Sequence, residues 1–481
     1  MYELALYVSL LVFLAVAFAY ARQDFASVFH PITLYLAFHG FVFVIRPLFA
    51  FYGDYEIIYR LYHFRPSEAT KLIVIGCANL GMLAFVAAAW KSGNAPMVFR
   101  HGPVEAAHRR LMIKPFLVAM ALTMPLGIAS LRSVATSGFE GMVMDRATRI
   151  TINTSGNGWF TDAQLLLVPC SMLFAWMFRF RWWSLLPLAV FVFGRSASGS
   201  RGPFVVACVA VALAYLYERR ARFPTWKPVL GALLLTILFV QIGDDRGGSL
   251  RIMLSGQPME VKVAQPTPFM ARMDFANLEF FEFIVETIPA KTGTYGYFVD
   301  TLALFTEPIP RKLWKEKPVG APIKMFDLFE FGNPIGMTTS LPGQGWMQLG
   351  LAGVLLWCGL WGWVLGKAYS AFANGRQDTF AVGLYLSFLP AFVIAFRDGA
   401  LMTVVRSVVF YLSPIILTAI IARLLEVPSL DSLYRAFERA PRARRRPDPA
   451  PAAPSPRRRA RVPSPPIVPR AWRRRRVDPA E

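Results

Sequence analysis

Two arginines lie in a short segment of small residues between two apolar runs of the sequence. The segment reads GRSASGSRGPF over residues 194–204 and contains Arg195 and Arg201. Small residues allow a ligand to approach the backbone closely, and Pro203 suits the first turn of a helix, whose amino terminus attracts anions. Two guanidinium groups beside such a helix start predict a phosphate or pyrophosphate site. The alternative is that both arginines only extend to the membrane interface.

Carboxylates cluster in the longest polar stretch of the chain, which begins RMDFANLEFFEFIVETIP at position 272. Glu279, Glu282 and Glu286 follow the spacing i, i+3, i+7, which places them on one face of a helix. We expect this acidic face to be exposed to solvent by default. The alternative is that one carboxylate acts as a general base for a sugar hydroxyl, and Glu286 and Asp274 are then the candidates.

Basic residues follow in the same stretch, within the proline-rich sequence PIPRKLWKEKP at 308–318. Its prolines restrict the backbone, so Arg311 and Lys317 can be held where they stabilise negative charge on a leaving group. The alternative is a proline-rich surface loop whose basic residues have no such role. Arg272, at the start of the stretch, belongs to the same predicted helix as Asp274 and Glu286. Arg397, in the later sequence FRDGA, either pairs with Asp398 or faces a cavity. Arg406 lies inside an apolar run and therefore requires a partner or a wet cavity.

Histidine and cysteine positions argue against a metal centre. All five histidines precede residue 110, and the long polar stretch has none. The four cysteines lie singly inside apolar runs, without the spacing of metal ligands. A Gly-rich nucleotide loop is also absent from the sequence. We therefore predict neither a metal nor a cofactor.

The elements that must position these residues are apolar helices. The chain has 481 residues, of which 55% are hydrophobic, and a mean hydropathy of +0.43, too apolar for a soluble protein. Its apolar runs are continuous rather than alternating, which predicts an all-α polytopic membrane protein with about eleven transmembrane helices. The predicted spans are Glu3–Tyr20, His30–Ala50, Lys71–Trp90, Ile113–Leu131, Ala163–Phe178, Trp182–Phe193, Pro203–Tyr217, Pro228–Ile242, Trp346–Tyr369, Phe380–Phe396 and Leu401–Leu424.

Lysine and arginine in the short connections predict the orientation. With the amino terminus outside, every basic short connection and the carboxyl terminus lie in the cytoplasm. The large loop, 243–345, then faces away from the cytoplasm, where nucleotides are not available. It separates the membrane helices of 1–242 from those of 346–425. A substrate on that outer face must carry its own activation.

The final segment, 426–481, is a tail of different composition. Residues 435–481 contribute +11 to the net charge of +21 of the chain. The tail is rich in Arg, Pro and Ala and has few large apolar residues, so we predict that it is disordered and cytoplasmic. Lipid headgroups are the nearest anions to such a tail, so we expect anionic lipid and not nucleic acid as its partner.

Three sequence blocks resemble the bacterial oligosaccharide repeat-unit polymerases, the Wzy-type O-antigen polymerases. They are SGSRGP at 198–203, TIPAKTGTYGYFVDTLALFTEPIPRKLWKEKP at 287–318 and TTSLPGQGWMQLGLAGVLL at 338–356. The order of these blocks and the number of spans also resemble that family, over residues 1–425. The Arg-rich tail lies outside the family pattern.

This resemblance implies a membrane glycosyltransferase of the C-type fold in the bacterial inner membrane, with its active site on the periplasmic face. The donor would be a growing glycan on undecaprenyl pyrophosphate and the acceptor a single lipid-linked repeat unit, without a metal. Arg201, Arg311 and Arg397 match the basic positions of the family's outer face, and Arg272 matches less closely. The product would be a surface polysaccharide such as lipopolysaccharide or exopolysaccharide. A chain-length regulator and a flippase are the partners that the family implies.

Two alternatives remain open from the sequence. An O-antigen ligase has the same fold and donor, but ligases use a histidine in the large outer loop, which this chain lacks. A transporter of polysaccharide or lipid-linked oligosaccharide would also have many spans and membrane arginines. A transporter does not need an outer loop of this length, and internal repeats are expected of it.

Overall fold

The computed structural model consists mainly of helices. It describes residues 1–56, 59–60, 63–100, 102–136, 142–144, 151–153, 158–197, 202–226, 270, 275–306, 309, 313–314, 323–332 and 338–439. The helices are α1 (Tyr2–Ala21), α2 (Pro31–Tyr52), α3 (Glu68–Ser92), α4 (Pro103–Thr136), α5 (Trp159–Met177), α6 (Trp182–Arg195), α7 (Gly202–Glu218), α8 (Asn277–Thr287), α9 (Leu341–Asn374), α10 (Thr379–Asp398), α11 (Leu401–Leu424) and α12 (Leu430–Arg439). The other elements are an antiparallel pair of short strands, β1 (Met142–Met144) and β2 (Thr151–Asn153), and single helical turns at Val299–Leu302, Ala303–Thr306 and Leu328–Phe331.

Eight of the described helices are long and apolar enough to cross a membrane, namely α1 to α5 and α9 to α11. Helices α6 and α7 are apolar but shorter. These helices confirm that the chain is a polytopic helical membrane protein. The total of eleven spans stays a prediction, because the predicted span Pro228–Ile242 lies outside the described residues.

The surface of α1 shows why these helices require lipid around them. Leu11 is 66% exposed and Phe18 is 60% exposed. The helix has no charged residue after Glu3, so its exposed surface is apolar. Apolar side chains directed outward along a whole helix are stable in hydrocarbon and costly in water.

The centre of the structure is the pair α3 and α9, which pack closely because glycines line the α9 side. A Cβ atom at Gly366 would lie 2.7 Å from the carbonyl oxygen of Ala89, so no larger residue fits there. Small residues of this kind allow two membrane helices to approach at backbone distance. Through this packing, α3 supports the helix that carries much of the candidate site.

Helix α2 contains a widened π-helical segment, Gly40–Ile45, immediately before Arg46. The backbone N–H of Arg46 bonds to the carbonyl of Phe41, five residues earlier. Pro47 follows, and its ring would clash with the carbonyl of Phe43 in a regular α-helix. The wider turn relieves that clash. Arg46, which follows the wider turn, is fully buried.

The chain divides into two compact units, Met1–Leu430 and Asp431–Glu481. Helix α12 begins at the boundary, and its apolar residues recur at the spacing of one helix face. It occupies the start of the segment for which the composition predicts disorder. Residues 440–481 lie outside the described part of the chain, so the prediction for them is untested.

Candidate functional site

Three of the predicted site residues, Arg195, Glu286 and Arg397, lie in the described part of the chain. The other five lie outside the described residues and stay predictions: Arg201, Arg272, Asp274, Arg311 and Lys317. The described residues nevertheless form three polar groups.

The first polar group corrects the expectation that the acidic face of α8 is exposed to solvent. Glu279 and Glu282 are almost completely buried. Glu279 forms an ion pair with Arg46, and the Tyr59 hydroxyl donates to Glu282 Oε2 over 2.7 Å. Two effects raise the pKa of Glu282 to about 8: burial, which is the larger, and the nearby negative charge of Glu279. The default expectation was wrong because the cation that pairs with Glu279 lies 233 residues earlier in the chain.

Glu286, a candidate general base, lies at the half-buried end of the same helix. Its Oε2 accepts a hydrogen bond of 2.7 Å from the hydroxyl of Thr70, in the first turn of α3. Ser67 caps that turn by accepting from the backbone N–H of Thr70. In this structure Glu286 therefore joins α8 to the start of α3, and its role as a base remains a prediction.

The second polar group is built on the first turns of α9. Ser340 caps this helix with its hydroxyl and has a left-handed backbone, with φ of 61°. The helix is then interrupted at Leu349 and Gly350, where φ and ψ are not helical. The short helix between these points has Gln344 and Gln348 one turn apart, and both are buried.

These two amides hold a carboxylate that the sequence analysis did not identify. Gln344 Nε2 donates to Asp300 Oδ2 over 2.8 Å, and Gln348 Nε2 donates to Asp300 Oδ1 over 3.1 Å. Burial raises the pKa of Asp300, and the hydrogen bonds from both glutamines partly oppose that effect. The available signal was the pair of glutamines at i and i+4 at the start of an apolar helix.

The predicted residue Arg397 lies in the turn that packs against this short helix. Its backbone carbonyl accepts from Ser340 N over 2.9 Å and from Asn277 Nδ2 over 2.9 Å. Two residues later, Gly399 has φ of +73° and lies against Ser340 and Gln344. The structure thus joins the start of α8, the start of α9 and the end of α10 around Arg397 and Asp300.

The third polar group contains the predicted residue Arg195. Its Nη1 donates to Gln164 Oε1 over 2.7 Å. Close by, Arg406 forms an ion pair with Asp162 and lies 5.9 Å from the ring centre of Trp159. Of the two possibilities for Arg406, a partner or a wet cavity, the structure provides the partner. Among the described side chains, this group combines the cations Arg195 and Arg406 with the anion Asp162.

All three groups lie on one side of the membrane-spanning bundle. Consecutive spans run in opposite directions, so the end of α6 and the start of α5 face the same side. The Arg406–Asp162 ion pair places the start of α11 there. The bonds of Asn277 and the Arg46–Glu279 pair add α8 and the end of α2. No group of three or more potential metal ligands was found in the described ranges.

The chain was also compared with protein-family models, curated proteins and solved structures, and none of them matches it.

Proposed function

We propose that the chain is a membrane glycosyltransferase that polymerises oligosaccharide repeat units on undecaprenyl pyrophosphate. It transfers the growing glycan to the acceptor sugar of a new lipid-linked unit at the periplasmic face of the bacterial inner membrane. The acceptor hydroxyl oxygen forms a bond to the anomeric carbon of the donor. The bond from that carbon to the pyrophosphate oxygen breaks, and undecaprenyl pyrophosphate leaves.

The observation that supports this proposal is the gathering of arginines at helix ends on one side of the bundle. Arg195, Arg397 and Arg406 lie there. Charged residues at membrane depth are costly; they pair with one another or line a path for a charged substrate. Guanidinium groups also match the geometry of phosphate oxygens and neutralise a pyrophosphate leaving group.

The proposal is tested with purified full-length protein in detergent and lipid-linked repeat units extracted from the organism that encodes the chain. We expect a ladder of lengthened glycans on a gel without added nucleotide. Arg201→Ala, Arg311→Ala and Arg397→Ala should each reduce chain growth by at least about tenfold, since each removes a charge that stabilises the leaving group. Arg423→Ala is the matched control, because Arg423 lies exposed at the far end of α11.

Two outcomes would contradict the proposal. Chain growth in all three arginine variants at the level of Arg423→Ala would refute the leaving-group assignment. Lipid-linked units that cross vesicle membranes unchanged, without a ladder, would support a transporter instead.

A further inference from the structure

Asp300 has a hydrogen-bonding arrangement that fixes its position and leaves it free of a cationic partner in the described part of the chain. Gln348 Oε1 accepts from the backbone N–H of Phe298 over 2.5 Å, which orients its Nε2 toward Asp300. Gln344 is 3% exposed and Gln348 is 1% exposed, so neither amide can turn away into solvent. The carboxylate is therefore held by two neutral side-chain donors of fixed orientation.

Four other carboxylates of this side, namely Glu279, Asp162, Glu282 and Glu286, are less suited to accept a proton from a substrate. Glu279 and Asp162 form ion pairs with Arg46 and Arg406, so each of them already has a cationic partner. Glu282 is 0% exposed, so a sugar cannot reach it. Glu286 accepts a hydrogen bond from the hydroxyl of Thr70, which ties it to the start of α3 and away from the Arg397 turn. Asp300 is half-buried and therefore combines partial desolvation with access from outside.

The residues around Asp300 also suit a group that takes part in the transfer reaction. Gln344 donates to Asp300 and, on its other side, lies against the Gly399 turn that follows Arg397. A base must lie near the acceptor hydroxyl, while cations must lie near the leaving group on the opposite side of the anomeric carbon. Gln344 links Asp300 to the Arg397 turn, so the two have a fixed relative position. That is required if one of them acts on the acceptor hydroxyl and the other on the leaving group.

We propose that Asp300 is the general base of the transfer reaction, with Gln344 and Gln348 as positioning residues; this inference rests on the proposed function. The O–H bond of the acceptor sugar breaks, and its proton passes to the Asp300 carboxylate. The oxygen forms the new glycosidic bond at the anomeric carbon, and the electron pair of the broken carbon–oxygen bond leaves with undecaprenyl pyrophosphate. Asp300 then returns the proton to water.

The test compares initial rates of chain growth for the full-length protein and its Asp300 variants with native lipid-linked units. Asp300→Asn keeps the size and one oxygen acceptor but removes the base, so we expect kcat to fall at least about 100-fold. The KM for the acceptor should change less than about threefold, because binding is retained. Asp327→Asn is the matched control, since Asp327 pairs with Lys324 in a separate part of the loop.

Three further variants separate a catalytic role from a structural one. Added formate should restore part of the kcat of Asp300→Ala, because formate can occupy the vacated site and accept the proton. Gln344→Met removes one positioning amide at similar volume, and we expect it to lower kcat about tenfold with an intact Asp300. Asp300→Glu, which keeps a displaced carboxylate, should be more active than Asp300→Asn.

The outcomes distinguish this inference from the proposed function. A normal ladder from the unmodified protein, together with a kcat of Asp300→Asn above about one third of normal, would overturn the role of Asp300 alone. Loss of activity in Asp300→Ala without any rescue, with an equally strong rise in KM, would assign Asp300 to binding and also overturn it. No ladder from the unmodified protein with its native substrate would overturn both.

Discussion

Removal of Arg46 should destabilise the protein strongly, because it would leave a buried carboxylate without its cation. The side chain of Arg46 is 0% exposed and that of Glu279 is 3% exposed. Glu282, in the same buried group, has a pKa of about 8 and is therefore mostly neutral at pH 7. The charge that would remain uncompensated is that of Glu279. Loss of one partner from a buried pair costs about 3–5 kcal/mol.

We expect Arg46→Met to lower the free energy of unfolding by that amount, measured by denaturant titration of the protein in mixed micelles. Glu279→Met should also be destabilising, since it removes the ion-pair partner of the buried guanidinium. The double variant Arg46→Met with Glu279→Met should recover most of the loss, because two apolar side chains can fill the same volume without a charge. Arg60→Ala is the control: Arg60 pairs with Glu56 but is 76% exposed, and such pairs contribute about 0.5 kcal/mol.

The reasoning fails if Arg46→Met costs no more than Arg60→Ala, because the site would then admit water around Glu279. It also fails if the losses of the two single variants simply add in the double variant. Additive losses would mean that each side chain contributes by packing and that the ion pair itself is unimportant.

Two more predictions concern neighbouring residues. Because the pKa of Glu282 is raised from 4.5 to about 8, the folded protein binds the extra proton between these values, and stability should fall as pH rises from about 5 to about 8. Glu282→Gln should reduce that dependence and be more stable than the unmodified protein at pH 8, as measured by unfolding titrations at both pH values; a parallel dependence in the variant would contradict this. Gly399→Ala should lower the free energy of unfolding by more than about 2 kcal/mol, since the new methyl would lie 2.8 Å from Gln344 Cβ in a left-handed backbone. Unfolding titration of Gly399→Ala beside Gly359→Ala, whose site is open, checks this, and equal stability of the two would refute it.

Local sequence was sufficient to locate the membrane helices. The predicted spans Glu3–Tyr20 and Leu401–Leu424 differ from helices α1 and α11 by at most a residue at each end. A run of about twenty apolar residues prefers hydrocarbon whatever surrounds it, and the helix satisfies its own backbone hydrogen bonds. The position of such an element is therefore a property of the segment itself.

The environment of the charged residues was decided only by tertiary structure. The same sequence pattern of Glu279 and Glu282 is compatible with an exposed face and with a buried one, and Arg46 selects the buried one from 233 residues away. Asp300 became a candidate only when Gln344 and Gln348 were seen to hold it, 44 and 48 residues later in the chain. Apolar patterning is encoded locally, whereas burial, pairing and the resulting pKa depend on which distant side chains the fold brings into contact.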